Sequence, residues 1–141
     1  MNKIVFTLLL LAAMPVAFAQ CEKNVLLSSS KTEYVDASGN VDRTVEENST
    51  VAITKDSIVI TPGHDQTMSG TIVSKTCNWT VPFKEGKSVM KVQLKNGTDS
   101  EVRNLTITVE GKEGKVTLLA VMDEMPDRQI RVPIDSFVEK M

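Results

Sequence analysis

Short alternating segments separated by turn residues run through most of this chain, and they constrain its fold more than any other feature. Residues 90–95 and 105–110 alternate strictly between apolar and polar side chains. A period of two is typical of a strand that buries one face. Asn96-Gly97 lies between the two segments and favours a tight turn, because both residues tolerate positive φ. The pattern therefore predicts two antiparallel neighbouring strands.

The same pattern continues on both sides of this pair. Residues 50–54 and 58–60 predict a second hairpin around Lys55 and Asp56. Further strands are expected at 68–76, 78–81, 116–122 and 129–134, and the last residues, 135–141, are expected to form a short helix or a loose tail. The chain thus reads as eight or nine short strands with no long helix.

This spacing predicts an all-β domain in which consecutive strands form an up-and-down antiparallel meander. Closing the meander into a β-barrel removes the exposed edge strands, and about eight strands suffice to close around side chains or one small ligand. A two-sheet β-sandwich satisfies the same alternation. The barrel is favoured, because sequential hairpins suit up-and-down order better than Greek-key crossings.

The first 19 residues predict a cleaved signal peptide. Lys3 is followed by an apolar run, Pro15 breaks that run, and Ala17-Phe18-Ala19 offers the small-x-small pattern of a cleavage site. The run is too short for a membrane span, which needs about 20 apolar residues. We therefore expect residues 20–141 to form one mature domain with no integral membrane span, exported to the periplasm or the extracellular space.

Two cysteines, Cys21 and Cys77, remain after cleavage. Export favours a disulfide between them. Two alternatives stay open. Cys77 could be a buried thiol beside Trp79, and Cys21 could carry a lipid, since a cysteine soon after an apolar leader resembles a bacterial lipoprotein start. The bulky Gln20 before Cys21 disfavours lipidation, because that pattern has a small residue there.

Charge excludes one broad class of partner. Lys3 is the only charged residue among the first 19, so 15 of the 16 Lys and Arg remain against 18 Asp and Glu, and the mature net charge is −3. Nucleic-acid binding requires clustered cations interleaved with aromatic side chains, whereas aromatic residues make up 4% of this chain. We expect a monomer that binds no nucleic acid.

Several stretches resemble the small secreted lipocalin-like proteins of Bacteroidota. They are the signal peptide, residues 30–36 with Gly39 opening a turn, Asn78-Trp79 followed by Val81-Pro82, and the train of strands. The Gly-x-Trp motif of true lipocalins does not occur. The resemblance implies a barrel that binds a small apolar or amphipathic ligand. It also draws attention to Ser57, because Asp56-Ser57-Ile58 matches the O-glycosylation pattern of exported proteins in that phylum.

The sequence shows no catalytic constellation. His64 is the only histidine, and His64 with Asp65 offers too few ligands for a metal site. The adjacent acidic pairs 46–47 and 123–124 are interpreted as charged loop residues, because neighbours on a strand point to opposite faces. Phosphate-binding loops and Cys-x-x-Cys are absent from the sequence. We therefore expect no enzyme activity, no cofactor and no metal.

Three residues are candidates for ligand binding. Trp79 and Tyr34 each combine an apolar ring with a polar group, although a structural role in the core is favoured for both. Arg128 shares parity with Ile130 and Val132, so it could lie at the mouth of a barrel and hold a carboxylate. An ion pair with Glu124 or Asp127 is the alternative. The leading hypothesis is an exported ligand-binding barrel, and the other is a β-sandwich interaction module that contacts an envelope protein.

Overall fold

Along the described part of the chain, each of the first eight strands pairs antiparallel with its neighbours in sequence, the eighth returns to the first, and a short ninth strand pairs with the first alone. The computed structural model describes residues 21, 23–63, 66–96 and 101–140. Within these residues the strands are β1 Val25–Val35, β2 Val41–Ile53, β3 Ser57–Thr61, β4 Met68–Val81, β5 Glu85–Asn96, β6 Val102–Lys112, β7 Lys115–Met122, β8 Met125–Ile134 and β9 Ser136–Glu139.

Strand β1 closes the sheet into a barrel. One of its edges pairs with β2 along nearly its whole length. Its other edge pairs with β8 at Glu33–Val35 and with β9 at Val25–Ser28. Eight strands therefore form a closed ring, and β9 prolongs the line of β8. The predicted all-β meander and the predicted barrel are confirmed, and the sandwich is excluded.

Both predicted hairpins are confirmed by the register. Ile53 lies opposite Ile58 in the β2–β3 pair, and Met90 lies opposite Ile107 in the β5–β6 pair. Of the predicted Asn96-Gly97 turn, only Asn96 lies within the described residues. Regular alternation made these pairs predictable, because a one-residue slip would turn every apolar side chain outward.

Several strands begin earlier than predicted, such as β2 at Val41 and β8 at Met125, and two elements were predicted wrongly. Residues 68–81 form the single strand β4, because Cys77, where a break was expected, stays paired with Ser88 of β5. The expected C-terminal helix or tail is the strand β9 instead. There Asp135 bridges the break between β8 and β9: its backbone N–H donates to the carbonyl of Ser28, and its carboxylate accepts from the backbone N–H of Ser30. These long-range contacts have no local signal.

The inward positions of the strands fill the barrel. Ile58, Met90 and Ile107 are completely buried. The buried apolar core also contains Val25, Leu27, Val51, Ile53, Ile72, Val92, Leu94, Leu105, Val109, Val116, Leu118, Ala120 and Val132. Burying each large aliphatic side chain contributes about 1.5–3 kcal/mol. The barrel is thus stabilised by one continuous apolar core.

One end of the barrel, the closed end, lies where β4 and β6 finish, and Trp79 covers it. Trp79 is 2% exposed and its indole N–H donates to the hydroxyl of Ser88 at 2.7 Å. The ring rests on two paired glycines: a Cβ at Gly86 would lie 2.8 Å from its Cδ2, and a Cβ at Gly111 would lie 2.8 Å from its Cζ3. Gly86 also has φ +147°, which disfavours any side chain. Only glycines leave room for the indole.

The chain termini complete the closed end. Phe137 of β9 makes edge contacts with Trp79 at 5.7 Å and with Phe83 at 4.8 Å between ring centroids. Cys21 and Cys77 form a disulfide, with 5.7 Å between their Cα atoms. The predicted bond is therefore confirmed, and it fastens the N-terminal segment to β4.

Candidate ligand-binding site

The opposite end of the barrel, which we name the open end only to distinguish it from the end that Trp79 covers, carries an aromatic–guanidinium pair. It lies where β1 and β7 finish and where β2 and β8 begin. Tyr34 of β1 is directly opposite Arg43 of β2 and Ile130 of β8. The Arg43 guanidinium lies 4.4 Å from the centre of the Tyr34 ring, a cation–π contact. The Tyr34–Arg43 pair is thus placed by the register of the β1–β2 hairpin, and barrel closure adds Ile130 of β8 on the other side of Tyr34.

Apolar side chains at this end are less covered than those further inside. Ile130 is 36% exposed, whereas Ile107 in the middle of the barrel is completely buried. Ile60, Met68 and Met122 are only partly buried where they pack on the core. The flexible methionine side chains can adapt to a ligand. Within the described residues, this end therefore carries partly buried apolar side chains, of which Ile130 lies directly opposite Tyr34.

Arg128 lies at the same end, but in an irregular segment of β8. Gln129 pairs with Val121 and Met125 pairs with Met122, so the three residues 126–128 have no partner in β7. The side-chain amide of Gln129 donates to the carbonyl of Pro126 at 3.0 Å and holds this bulge. Arg128 is exposed there. Because the bulge interrupts the alternation, parity with Ile130 does not fix the direction of Arg128.

The β1–β2 loop beside Tyr34 is held by Asp36. Its carboxylate accepts hydrogen bonds from the backbone N–H groups of Asn40 and Ser38, both at 2.9 Å. The Asn40 hydrogen bond, followed by the other donors of the loop, lowers the pKa of Asp36 below its ordinary value. Gly39 adopts φ +86° in the same turn. The loop that carries the strand to Arg43 is thus locally ordered.

Trp79, the third predicted ligand residue, is not brought together with the other two. It lies at the closed end, buried in the core, while Tyr34 and Arg128 lie at the open end. A cavity of about 10 Å³ near Trp79 is lined by Val25, Ile53, Lys75, Ser88, Met90, Val109 and Phe137. This volume holds about one water molecule. It is far below the roughly 300–1,000 Å³ of a small-molecule pocket.

Sequence reasoning missed Arg43 and Lys75. Arg43 lies opposite Tyr34 only because of the register of β1 and β2, which shifts twice along the pair. Lys75 lies on the same face of β4 as Cys77 and Trp79, and its ammonium donates to the carbonyls of Cys21 at 2.9 Å and Thr54 at 3.4 Å. A lysine in a run of alternating polar residues gives no signal of such a role.

Burial lowers the pKa of Lys75 below the ordinary 10.5, and the nearby Asp56 carboxylate partly opposes the shift. The unfolded chain therefore binds the proton more tightly than the folded protein does. Between the lowered pKa and 10.5, this group makes the free energy of unfolding rise with pH. We expect Lys75→Met to reduce that rise, measured by urea unfolding between neutral and alkaline pH. Lys112→Met, which alters an exposed lysine, is the control and should keep it.

The remaining predicted site residues lie away from the open end or outside the residues that the structure describes. Ser57 is exposed at the start of β3, with its hydroxyl 2.7 Å from that of Thr54. His64 and Asp65 lie outside the described residues. Within the described ranges, His, Cys, Asp and Glu form no group of three that could hold a metal ion. The same ranges contain no helix long and apolar enough to cross a membrane.

Comparison with protein-family models, with curated proteins and with solved structures gives no significant match in any of the three. The resemblance to lipocalin-like proteins therefore stays a prediction, and function has to be inferred from the residues themselves.

Proposed function

We propose that this protein is an exported, lipocalin-like barrel that binds a small amphipathic molecule at its open end. One observation carries the proposal: apolar side chains remain partly exposed only two residues beyond the packed interior, directly beside an ordered aromatic–guanidinium pair. Ile130 is 36% exposed, whereas Val132 on the same strand is 8% exposed. The signal sequence and the Cys21–Cys77 disulfide support the export part of the proposal.

The filled interior limits how such a ligand can bind. With about 10 Å³ free near the closed end, an alkyl chain cannot pass down the barrel axis. It lies across Ile60, Met68, Met122 and Ile130, and its polar group reaches Arg43. Covering about 200 Å² of apolar surface contributes about 5 kcal/mol before the cost of association. Because the cost of association is subtracted from this gain, we expect weak binding, with dissociation constants of about 1 mM or more.

A head-group series tests this site. Dodecanoate, dodecanol and dodecyltrimethylammonium share one alkyl chain, and their binding to the mature protein can be compared by titration calorimetry or NMR. Arg43→Gln is expected to weaken dodecanoate binding about tenfold, because it removes a charged partner worth about 1.5 kcal/mol. The same substitution should leave dodecanol binding nearly unchanged.

Arg103→Gln is the matched control. Arg103 is an arginine near the same end whose guanidinium faces the Glu101 carboxylate at 3.9 Å. If both substitutions weaken dodecanoate binding equally, the guanidinium of Arg43 is not the specific anchor. If none of the three amphiphiles saturates a site on the wild-type protein, the proposed function is refuted.

A protein-interaction module is the second candidate function. The observation that favours it is the packed core, since a barrel without a ligand chamber has only its surface to offer a partner. Unlike the expected sandwich, this module would act through the outer wall of the barrel.

A further inference from the structure

The hydroxyl of Ser88 is buried, and only its acceptor function is used. Ser88 is 7% exposed, and its oxygen accepts the indole N–H of Trp79 at 2.7 Å. The O–H proton of Ser88 has no acceptor among the residues that the structure describes. Leaving a buried donor unpaired is costly, so such groups bind either another protein group or an ordered water molecule. The Ser88 proton therefore requires an acceptor that these residues do not supply.

The ammonium of Lys75 also has a donor left over, on the same inner face of the barrel. It carries three N–H groups. Two backbone carbonyls accept from it, at 2.9 Å and 3.4 Å, so one N–H remains without an acceptor in the described part of the chain. In the β4–β5 pair Lys75 lies opposite Met90, and Cys77 lies opposite Ser88. Lys75 and Ser88 are therefore diagonal neighbours, a separation that a long side chain can reach across.

Both side chains line the small cavity near the closed end. The cavity has a volume of about 10 Å³, and the rest of its lining is apolar: Val25, Ile53, Met90, Val109 and Phe137. A site of this size holds about one water molecule, provided that polar groups are present to bind it. The hydroxyl of Ser88 and the ammonium of Lys75 are two such groups, and both have a hydrogen to donate.

We propose that this cavity binds one water molecule, which accepts hydrogen bonds from the Ser88 hydroxyl and the Lys75 ammonium. The ligand must be an acceptor, because an apolar ligand would leave both donors unpaired. An organic molecule is too large for about 10 Å³. Lys75 is half-buried, so outer solvent can accept the protons of the bound water. The site lies at the closed end, and the proposal goes beyond the proposed function at the open end.

The bound water completes a chain of hydrogen bonds across the closed end. The chain runs from the indole of Trp79 to Ser88, through the water to Lys75, and on to the carbonyl of Cys21. Bridging waters of this kind are nearly as favourable as direct hydrogen bonds. The water thus joins the core of the barrel to the N-terminal segment by a route that is separate from the disulfide.

A high-resolution crystal structure of the mature protein tests the proposal. The wild-type protein is expected to show one water peak within about 3.2 Å of both Ser88 Oγ and Lys75 Nζ. Lys75→Met keeps an unbranched side chain but removes the ammonium, and its crystal structure should lack the peak. Lys91→Met is the matched control, because the Lys91 ammonium is exposed and donates to the hydroxyl of Thr106 at 2.7 Å. This control should keep the water peak.

A wild-type cavity without a peak would overturn the proposal. So would a peak within hydrogen-bond distance of only one of the two groups, or a peak that Lys75→Met leaves unchanged. Replacement by bromide in a soaked crystal, detected by its anomalous scattering, would show that the site takes an anion and would also overturn it. Dodecanoate binding at the open end should be the same in Lys75→Met and the wild type, which separates this test from that of the proposed function.

Discussion

Trp79→Ala is expected to lower the free energy of unfolding by about 3–5 kcal/mol, the range for removing a large buried aromatic side chain. The indole is 2% exposed and rests on Gly86 and Gly111, neither of which has a side chain to fill the space left behind. The change also leaves the hydroxyl of Ser88 without its indole donor. Urea unfolding followed by circular dichroism measures the effect. Tryptophan fluorescence cannot be used, because Trp79 is the only tryptophan and the variant lacks it.

Two further variants are compared with Trp79→Ala: one keeps an aromatic ring at position 79, and the other removes the aromatic ring of the open end. Trp79→Phe keeps an aromatic ring but loses the hydrogen bond to Ser88, so we expect a smaller loss of about 1–3 kcal/mol. Tyr34→Ala removes the half-buried aromatic residue of the open end and should cost less than Trp79→Ala. A loss below about 1 kcal/mol for Trp79→Ala would mean that the closed end does not depend on this residue.

Removing the Cys21–Cys77 disulfide should be the other large loss of stability. The two residues are 56 positions apart, and the chain-entropy estimate for a loop of this size is roughly 4 kcal/mol. We expect the double variant Cys21→Ser, Cys77→Ser to unfold at a lower urea concentration by a corresponding amount. The N-terminal segment would also lose the tie that holds the carbonyl of Cys21 against Lys75.

Reduction of the wild-type protein is the control for this experiment. A reducing agent should bring the wild type to the stability of the double variant and should leave the double variant unchanged. If wild type and double variant unfold at the same urea concentration without reductant, the bond does not restrain the unfolded chain as the estimate assumes.

Alternation made most of the fold predictable from the sequence. The strands that pair through regular registers, such as β5 with β6, were located because their apolar residues recur every second position. Closure into a barrel followed from the number of strands and from their hairpin order. The disulfide was predictable from the even number of cysteines together with the signal peptide that the sequence predicts. Each of these features depends on a local pattern of residues, on the number of strands or on the number of cysteines.

The candidate site was only partly predictable, because it depends on where the alternation fails. Arg128 was expected at the mouth by parity, but the bulge at residues 126–128 removes that parity. Arg43 meets Tyr34 because β1 and β2 shift register between Ser29 and Lys31. Strand β9 forms because Asp135 and Phe137 find partners far away in sequence. Bulges and long-range partners leave no trace in the periodicity of one chain.

The most direct test of the account is NMR of protein labelled with ¹³C at the methionine methyl groups, titrated with dodecanoate. Met68 and Met122 report on the open end, where both are partly buried, and Met90 reports on the interior, where it is completely buried. We expect saturable shifts of the Met68 and Met122 signals while the Met90 signal stays in place. A shift of Met90 alone, or of all three signals together, would show that the ligand enters the barrel and would contradict a binding site confined to the open end.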